Sequence, residues 1–193
     1  MNLKMLLAVL VVSASIPAFS QVAPEAEPRL PLSVGVAYSN FNTDWTGRLQ
    51  GPMFWANYSF YNRPAFLNGF GIEVEGRDLN YGRSAGQYNL RMDTIAGGPI
   101  YTVRHYRRFH PYAKYLIGYG SIDFTLLKFP NYKHDSRTVY DPGGGAEYRV
   151  WQNVWVRGDY EYQFWTSLFN HHDLNPRGFT IGAAYDFRGA HSR

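Results

Sequence analysis

Glu73 and Glu75 stand two residues apart, as do Asp159 and Glu161. On an extended chain that spacing puts both carboxylates on one face, where paired acids could share a proton for general acid–base work. Arg77 follows the first pair and Arg157 precedes the second on the same faces, so structural ion pairing is the stronger reading. Six histidines, His105, His110, His134, His171, His172 and His191, offer bases and metal ligands. His171-His172-Asp173 is the densest group, but adjacent residues of an extended chain point to opposite sides, and no metal site is expected there. A Ser-His-acid triad can be assembled from scattered residues of almost any chain, and none is assigned. Gly143-Gly144-Gly145 lacks the Lys-Ser/Thr and the helix of a phosphate loop. The expectation is no catalytic residue, no cofactor and no metal, so not an enzyme.

Whatever these side chains do, the rest of the chain must hold them. It has 193 residues, 45% hydrophobic and 18% aromatic, with sixteen Tyr, nineteen Gly and no cysteine. That composition excludes intrinsic disorder, a disulfide scaffold and a Cys-based zinc site, and it favours strands and turns over helices. No apolar run reaches the ~18 residues of a membrane helix. The formal net charge of +4 is too mild to argue for nucleic acid.

Residues 1–20 read as a cleavable signal peptide. Lys4 supplies the positive start, Met5 to Val12 a short apolar core, and Ala18-Phe19-Ser20 the small residues of a cleavage site. Residues 21–31 carry three prolines and form a flexible lead-in.

Beyond residue 31 the hydrophobic period is two, not 3.6. Eight segments alternate, centred on Val34-Val36, Phe54-Ala56, Ile72-Val74, Leu90-Met92, Tyr115-Ile117, Ala146-Tyr148, Val156-Tyr160 and Ile181-Ala183. The length allows roughly 22 residues per strand and connection, enough for transmembrane strands of ~9–11 residues with loops. Connections near residues 42–48, 78–86, 125–138 and 166–176 belong to one end. Those near 62–68, 104–110 and 151–153 belong to the other, giving a pattern of longer outer and shorter inner turns.

The apolar face carries Tyr and Phe toward the strand ends, as the two interfaces of a membrane require. The opposite face carries Glu73, Glu75, Asp93, Glu147, Asp159, Glu161 and Asp186 against Arg77, Arg91, Lys114, Arg149 and Arg157. Near balance predicts an ion-pair network inside a narrow barrel, structural or gating, with small residues such as Gly35, Gly118, Gly120, Gly145 and Gly182 making room. Simple hairpin register sets Arg157 opposite Glu147 and Asp186, and Glu75 opposite Arg91. The basic run 104–110 suits anionic lipid headgroups. Lys128, Lys133, His134 and Arg137 make the third outer loop basic enough to meet lipopolysaccharide phosphates.

Gly182-Ala183-Ala184-Tyr185-Asp186-Phe187 resembles the terminal β-signal of outer-membrane barrels, carried by Gly182, Tyr185 and Phe187. With 71–77, 97–101 and 143–149, the chain is similar to the small eight-stranded outer-membrane barrels of the OmpA membrane-domain and OmpX type. The resemblance spans residues 32–187, and the short tail 188–193 departs from it, because the final aromatic is usually the last residue. It implies an all-β, eight-stranded antiparallel up-and-down transmembrane β-barrel in the cell outer membrane. Implied partners are outer-membrane lipids and lipopolysaccharide, with barrel-assembly machinery and periplasmic chaperones during biogenesis, and the chain is expected to be a monomer. The expected role is structural or surface interaction, through envelope integrity or loop-mediated binding. The alternative is a narrow ion or small-solute channel. A lipid-modifying outer-membrane enzyme and a soluble lipocalin-like carrier stand further off.

Overall fold

Alternation of large apolar and polar side chains builds strands along nearly all of the chain described. The computed structural model describes residues 31–44, 47–60, 68–81, 88–105, 107–126, 129–168 and 172–187. The expected signal peptide, the lead-in as far as residue 30 and the tail 188–193 lie outside the described residues.

The strands are β1 (Leu32–Thr43), β2 (Gly47–Ser59), β3 (Phe70–Tyr81), β4 (Tyr88–Thr102), β5 (Phe109–Leu126), β6 (Phe129–Arg149), β7 (Val154–Tyr162), β8 (Phe164–Leu168), β9 (His172–Leu174) and β10 (Arg177–Asp186). Every pairing is antiparallel, neighbour to neighbour, and β1 pairs β10 from Ser33↔Asp186 to Asn42↔Arg177, which closes the sheet on itself. Ten segments make eight barrel strands. Glu161 and Trp165 pair with β6 in one unbroken register across Gln163, so β7 and β8 are one barrel strand. Tyr162↔Arg177 and Trp165↔Leu174 likewise keep one register, so β9 and β10 are another. The left-handed backbone at Gly47 (φ 106°) and Gly69 (φ 102°) opens β2 and precedes β3, a conformation other residues rarely adopt.

Two of the expected outer loops are largely strand. Within 125–138, β6 begins at Phe129 and pairs back to β5 through Asp123↔His134 and Ser121↔Ser136. Within 166–176, β8 and β9 continue the ladder. Polar residues in these stretches read as loop, yet backbone hydrogen bonding to a neighbouring strand needs no apolar outer face once the outside meets water.

Along most of the barrel the side-chain faces match the alternation. Val34, Val36, Ile72, Val74, Ile117, Val156 and Ile181 form an exposed aliphatic band on the outside. Aromatic rings border it at both ends. Toward the end where β1 begins and β10 finishes stand Tyr58 with Phe60, Phe70 with Tyr101, and Tyr185 with Phe187. Toward the far end stand Tyr160 with Phe179, Tyr162 with Phe164, and Tyr119.

At the far end the polarity inverts. Phe41, Leu49, Leu79, Leu90, Met92, Ile122, Val139, Trp165 and Leu174 all point inward and pack as one buried cluster. Arg91, Asp93 and Asp78 point outward, more than a third exposed. The expectation for the fourth segment is therefore reversed: Leu90 and Met92 are interior, and Arg91 and Asp93 do not belong to the interior network. The reason is the medium. Where a barrel rises beyond lipid it meets water outside, and apolar side chains gain most by turning in.

Candidate functional site: a sealed, ion-paired lumen

The interior is built from the inward positions of all the strands, and its charged cluster from those of β3, β5, β6 and β7. Ladder neighbours share a face, so the inward charges of adjacent strands converge on the barrel axis. Arg157 on β7 is almost wholly buried and binds both oxygens of Glu73 on β3, at 2.6 and 2.7 Å. Its Nε donates to Asp159 at 3.0 Å, and Tyr112 on β5 donates its hydroxyl to the same carboxylate at 2.6 Å. Lys114 on β5 donates to Glu75 at 2.6 Å and Glu73 at 3.3 Å, and also pairs with Glu161. Arg77 pairs with Glu161, lies 3.2 Å from Glu75, and lies 3.6 Å from Asp141 on β6.

The cluster continues to the far-end plug. Gln163 donates to Asp141 at 2.8 Å, and the Trp165 indole donates to Gln163 at 3.1 Å. Aromatic rings bound it on both sides. Arg77 lies over Phe41 at 4.5 Å, and Arg157 lies between Trp55 at 4.8 Å and Tyr112 at 4.5 Å. Beside the charged cluster, Met53, Trp55, Trp155 and Ala184 form a second buried apolar group, in which the Met53 sulfur accepts from Arg77 at 3.5 Å. The lumen is thus a stack: an apolar plug, an ionic middle and an aromatic floor.

Glycines admit the bulky rings. A Cβ at Gly35 would enter the Trp55 ring, and one at Gly120 would enter the Trp165 ring. Near the charges, a Cβ at Gly143 would stand 2.8 Å from Glu161 and 3.2 Å from Lys114. The small residues therefore make room for tryptophans as well as for ions.

Glu73, Glu75, Arg77, Lys114, Arg157, Asp159 and Glu161 come together as the sequence leads one to expect. Glu147, Arg149 and Asp186 also face inward, toward the end where β1 begins and β10 finishes, where Arg149 lies 5.7 Å over Trp155. Arg157 does sit opposite Glu147, but its other neighbour is Gly182 and not Asp186, and Glu75 sits opposite Ala96 and not Arg91. The strands run past the expected turns, which shifts those registers. Arg91 instead binds Asp78 at 3.0 Å and Asp93 at 3.1 Å on the outer surface. His110, part of the basic run, stacks on Trp155 at 4.5 Å. His171 lies outside the described residues.

Asp141 and Tyr112 complete the network and were not expected, whereas Gln163 continues the polar face of Arg157, Asp159 and Glu161 by the same alternation. Counting back by twos from Glu147 through Gly145 and Gly143 reaches Asp141, which was the available signal. Carboxylate oxygens of Glu75, Asp141 and Glu161 gather within 4.8 Å of one another, a spacing a cation could bridge. The Arg77 guanidinium reaches all three and fills that role.

Five carboxylates (Glu73, Glu75, Asp141, Asp159, Glu161) face three cations (Arg77, Lys114, Arg157) in the cluster, a formal excess of two negative charges. Glu75→Gln removes one excess charge and is expected to leave the urea midpoint of the refolded barrel unchanged or higher. Glu73→Gln breaks the bidentate pair and is expected to lower it. Equal effects would mean that the cluster is not dry enough for its charge balance to matter.

The model of the outer membrane protein beta-barrel domain family matches residues 6–187. No curated protein matches the chain. Among solved structures, Neisserial surface protein A is 14% identical with a TM-score of 0.66, the match covering 81% of this chain and 97% of that one. Ail, the attachment invasion locus protein of Yersinia pestis, is 19% identical with a TM-score of 0.55, covering 80% and 95%. A major outer membrane protein from Thermus thermophilus is 11% identical with a TM-score of 0.51, covering 80% and 98%. At these identities the likeness is one of fold.

Proposed function

Because the chain belongs to the outer membrane protein beta-barrel domain family, we propose that it is a sealed barrel whose work is done on its outer surface. It spans the outer membrane as a monomer, with the termini toward the periplasm and the far-end collar and loops toward the outside. There it supports the envelope and meets lipopolysaccharide, lipid or a neighbouring surface. The signal peptide exports it, and Gly182, Tyr185 and Phe187 present β10 to the assembly machinery.

The filled lumen carries this reading. Ions and solutes have no use for a passage blocked by Trp165 above and by Trp55 and Trp155 below. Single-channel recording of the refolded chain in a planar bilayer is expected to be silent. A steady current that changes in Arg157→Ala would replace this reading with a channel gated by its ion pairs.

The inversion of polarity also supports a membrane boundary between the aliphatic band and the far end. Val74 lies in the aliphatic band, whereas Asn80, further along β3, is exposed among charged neighbours. Val74→Lys is expected to cost about 2–4 kcal/mol of stability in lipid and Asn80→Lys close to none. Equal costs, measured by urea titration in vesicles, would move the membrane boundary.

A further inference from the structure

Three side chains on the outside of the β5–β6 hairpin have no part in sealing the barrel. Asp123 and His134 face each other across the two strands, and Ser136 lies two residues beyond His134 on the same face. His134 Nδ1 is 2.6 Å from Asp123 Oδ1, and Ser136 Oγ is 3.2 Å from His134 Nε2. Each ring nitrogen has the partner that nucleophilic catalysis needs. In the tautomer with its proton on Nδ1, His134 donates to Asp123 and accepts the Ser136 hydroxyl proton at Nε2. The His134 and Asp123 side chains are 50% and 30% exposed, so a substrate reaches them. The serine is also held from behind. Its N–H donates to Asp135 at 2.9 Å, and Arg137 Nε donates to the same carboxylate at 3.1 Å. Ser121 stands directly opposite Ser136 on the shared face, a second hydroxyl on the rung of the nucleophile.

We propose that Ser136, His134 and Asp123 form an acyl-ester hydrolase site on the outer rim of the barrel, acting on a long-chain acyl ester of a membrane lipid. This goes beyond the surface role above and departs from the expectation of no catalysis. The substrate class follows from position. Ser136 and Ser121 stand two residues beyond the rung Tyr119↔Thr138, about 7 Å along the strand. Tyr119 is the outermost exposed aromatic described on β5. The serine therefore lies just on the water side of the aromatic girdle, on the rung of Asp93 and Ser121, level with the headgroups and within reach of the lipid ester bonds beneath them.

Ser136 Oγ attacks the ester carbonyl carbon while His134 Nε2 takes its proton. Asp123 holds the ring and balances the imidazolium. The carbonyl carbon–alkoxy oxygen bond then breaks, and His134 returns the proton to the departing alcohol. Water, deprotonated by His134, attacks the acyl-serine and releases the carboxylic acid and free Ser136. Ser136 and His134 are the catalytic residues, and Asp123 is a positioning residue.

The test uses the full chain refolded in detergent, treated with a fluorophosphonate probe. Its companion measures fatty-acid release by mass spectrometry from vesicles of phosphatidylethanolamine or of lipopolysaccharide. The probe is expected on Ser136, with no label in Ser136→Ala and labelling slowed on the order of 10²-fold in Asp123→Asn. Both variants are expected to keep the heat-dependent gel shift of a folded barrel. Acid release from one vesicle type alone identifies a phosphatidyl or a lipopolysaccharide ester as the substrate. No label on the folded wild-type chain overturns the proposal. Labelling in detergent without insertion into vesicles overturns the membrane reading and leaves the triad standing.

Discussion

Arg157→Met is expected to destabilise the barrel by about 3–5 kcal/mol, because it strands buried carboxylates that lose their cation. The wild-type guanidinium binds both oxygens of Glu73, reaches Asp159, and lies between the rings of Trp55 and Tyr112. Methionine fills much of the volume but leaves the formal excess of negative charge in the cluster larger by one. Lys114, 3.3 Å from Glu73, offsets only part of the loss because it already pairs with Glu75 and Glu161. The check is a urea titration followed by tryptophan fluorescence, with Arg157→Met, Glu73→Gln and the double variant compared. The double variant is expected to recover a sizeable part of the loss, since the formal charge excess of the cluster then returns to its wild-type value, with Asp159 alone still lacking its bond from Arg157. A single-variant loss below about 1 kcal/mol would mean that water screens the lumen around Arg157.

Trp165→Ala is expected to cost a similar amount, about 3–5 kcal/mol, for a different reason. Trp165 is fully buried in the far-end plug, against Gly120 of the facing strand. Removing the ring deletes apolar contact with the plug and leaves a cavity that rigid strands cannot close. It also takes away the indole donor to Gln163, loosening the link from the plug to Asp141. The ionic middle and the aromatic floor still fill the lumen, so the variant is expected to remain silent in a planar bilayer. A stable Trp165→Ala barrel that conducts would show that the plug is the only seal. A variant as stable as wild type would show that the far end is not a packed core.

How far the site was legible depends on where each residue lies relative to the membrane. Glu73, Glu75, Arg77, Lys114, Arg157, Asp159 and Glu161 fall within the span where lipid lies outside. There the rule that charges turn inward holds without exception among them, and they form the cluster the alternation leads one to expect. Arg91 and Asp93 alternate just as regularly, but they lie beyond the lipid. The same pattern there has the opposite meaning, and Leu90 and Met92 take the interior. Alternation marks two faces of a strand and does not say which faces in.

The Ser136–His134–Asp123 arrangement was legible only in part. Residues His134 and Ser136 are two apart in sequence, a spacing that puts both on one face. Asp123 joins them only through the pairing of β5 with β6, which depends on where the hairpin turns. The expected loop over 125–138 hid that pairing.

From residue order alone came the β class, the count of barrel strands and most of the lumen charges. These rest on local facts: a period of two, the placement of aromatics, and composition. Which residues meet across the axis was decided only by closure. Sealing β1 to β10 sets every register at once, and so brings Arg157 to Glu73 and Arg77 to Asp141 across the lumen. The burial of Trp165 in the far-end plug is likewise a tertiary fact, because the ring fits only where Gly120, far away in sequence, leaves room beside it.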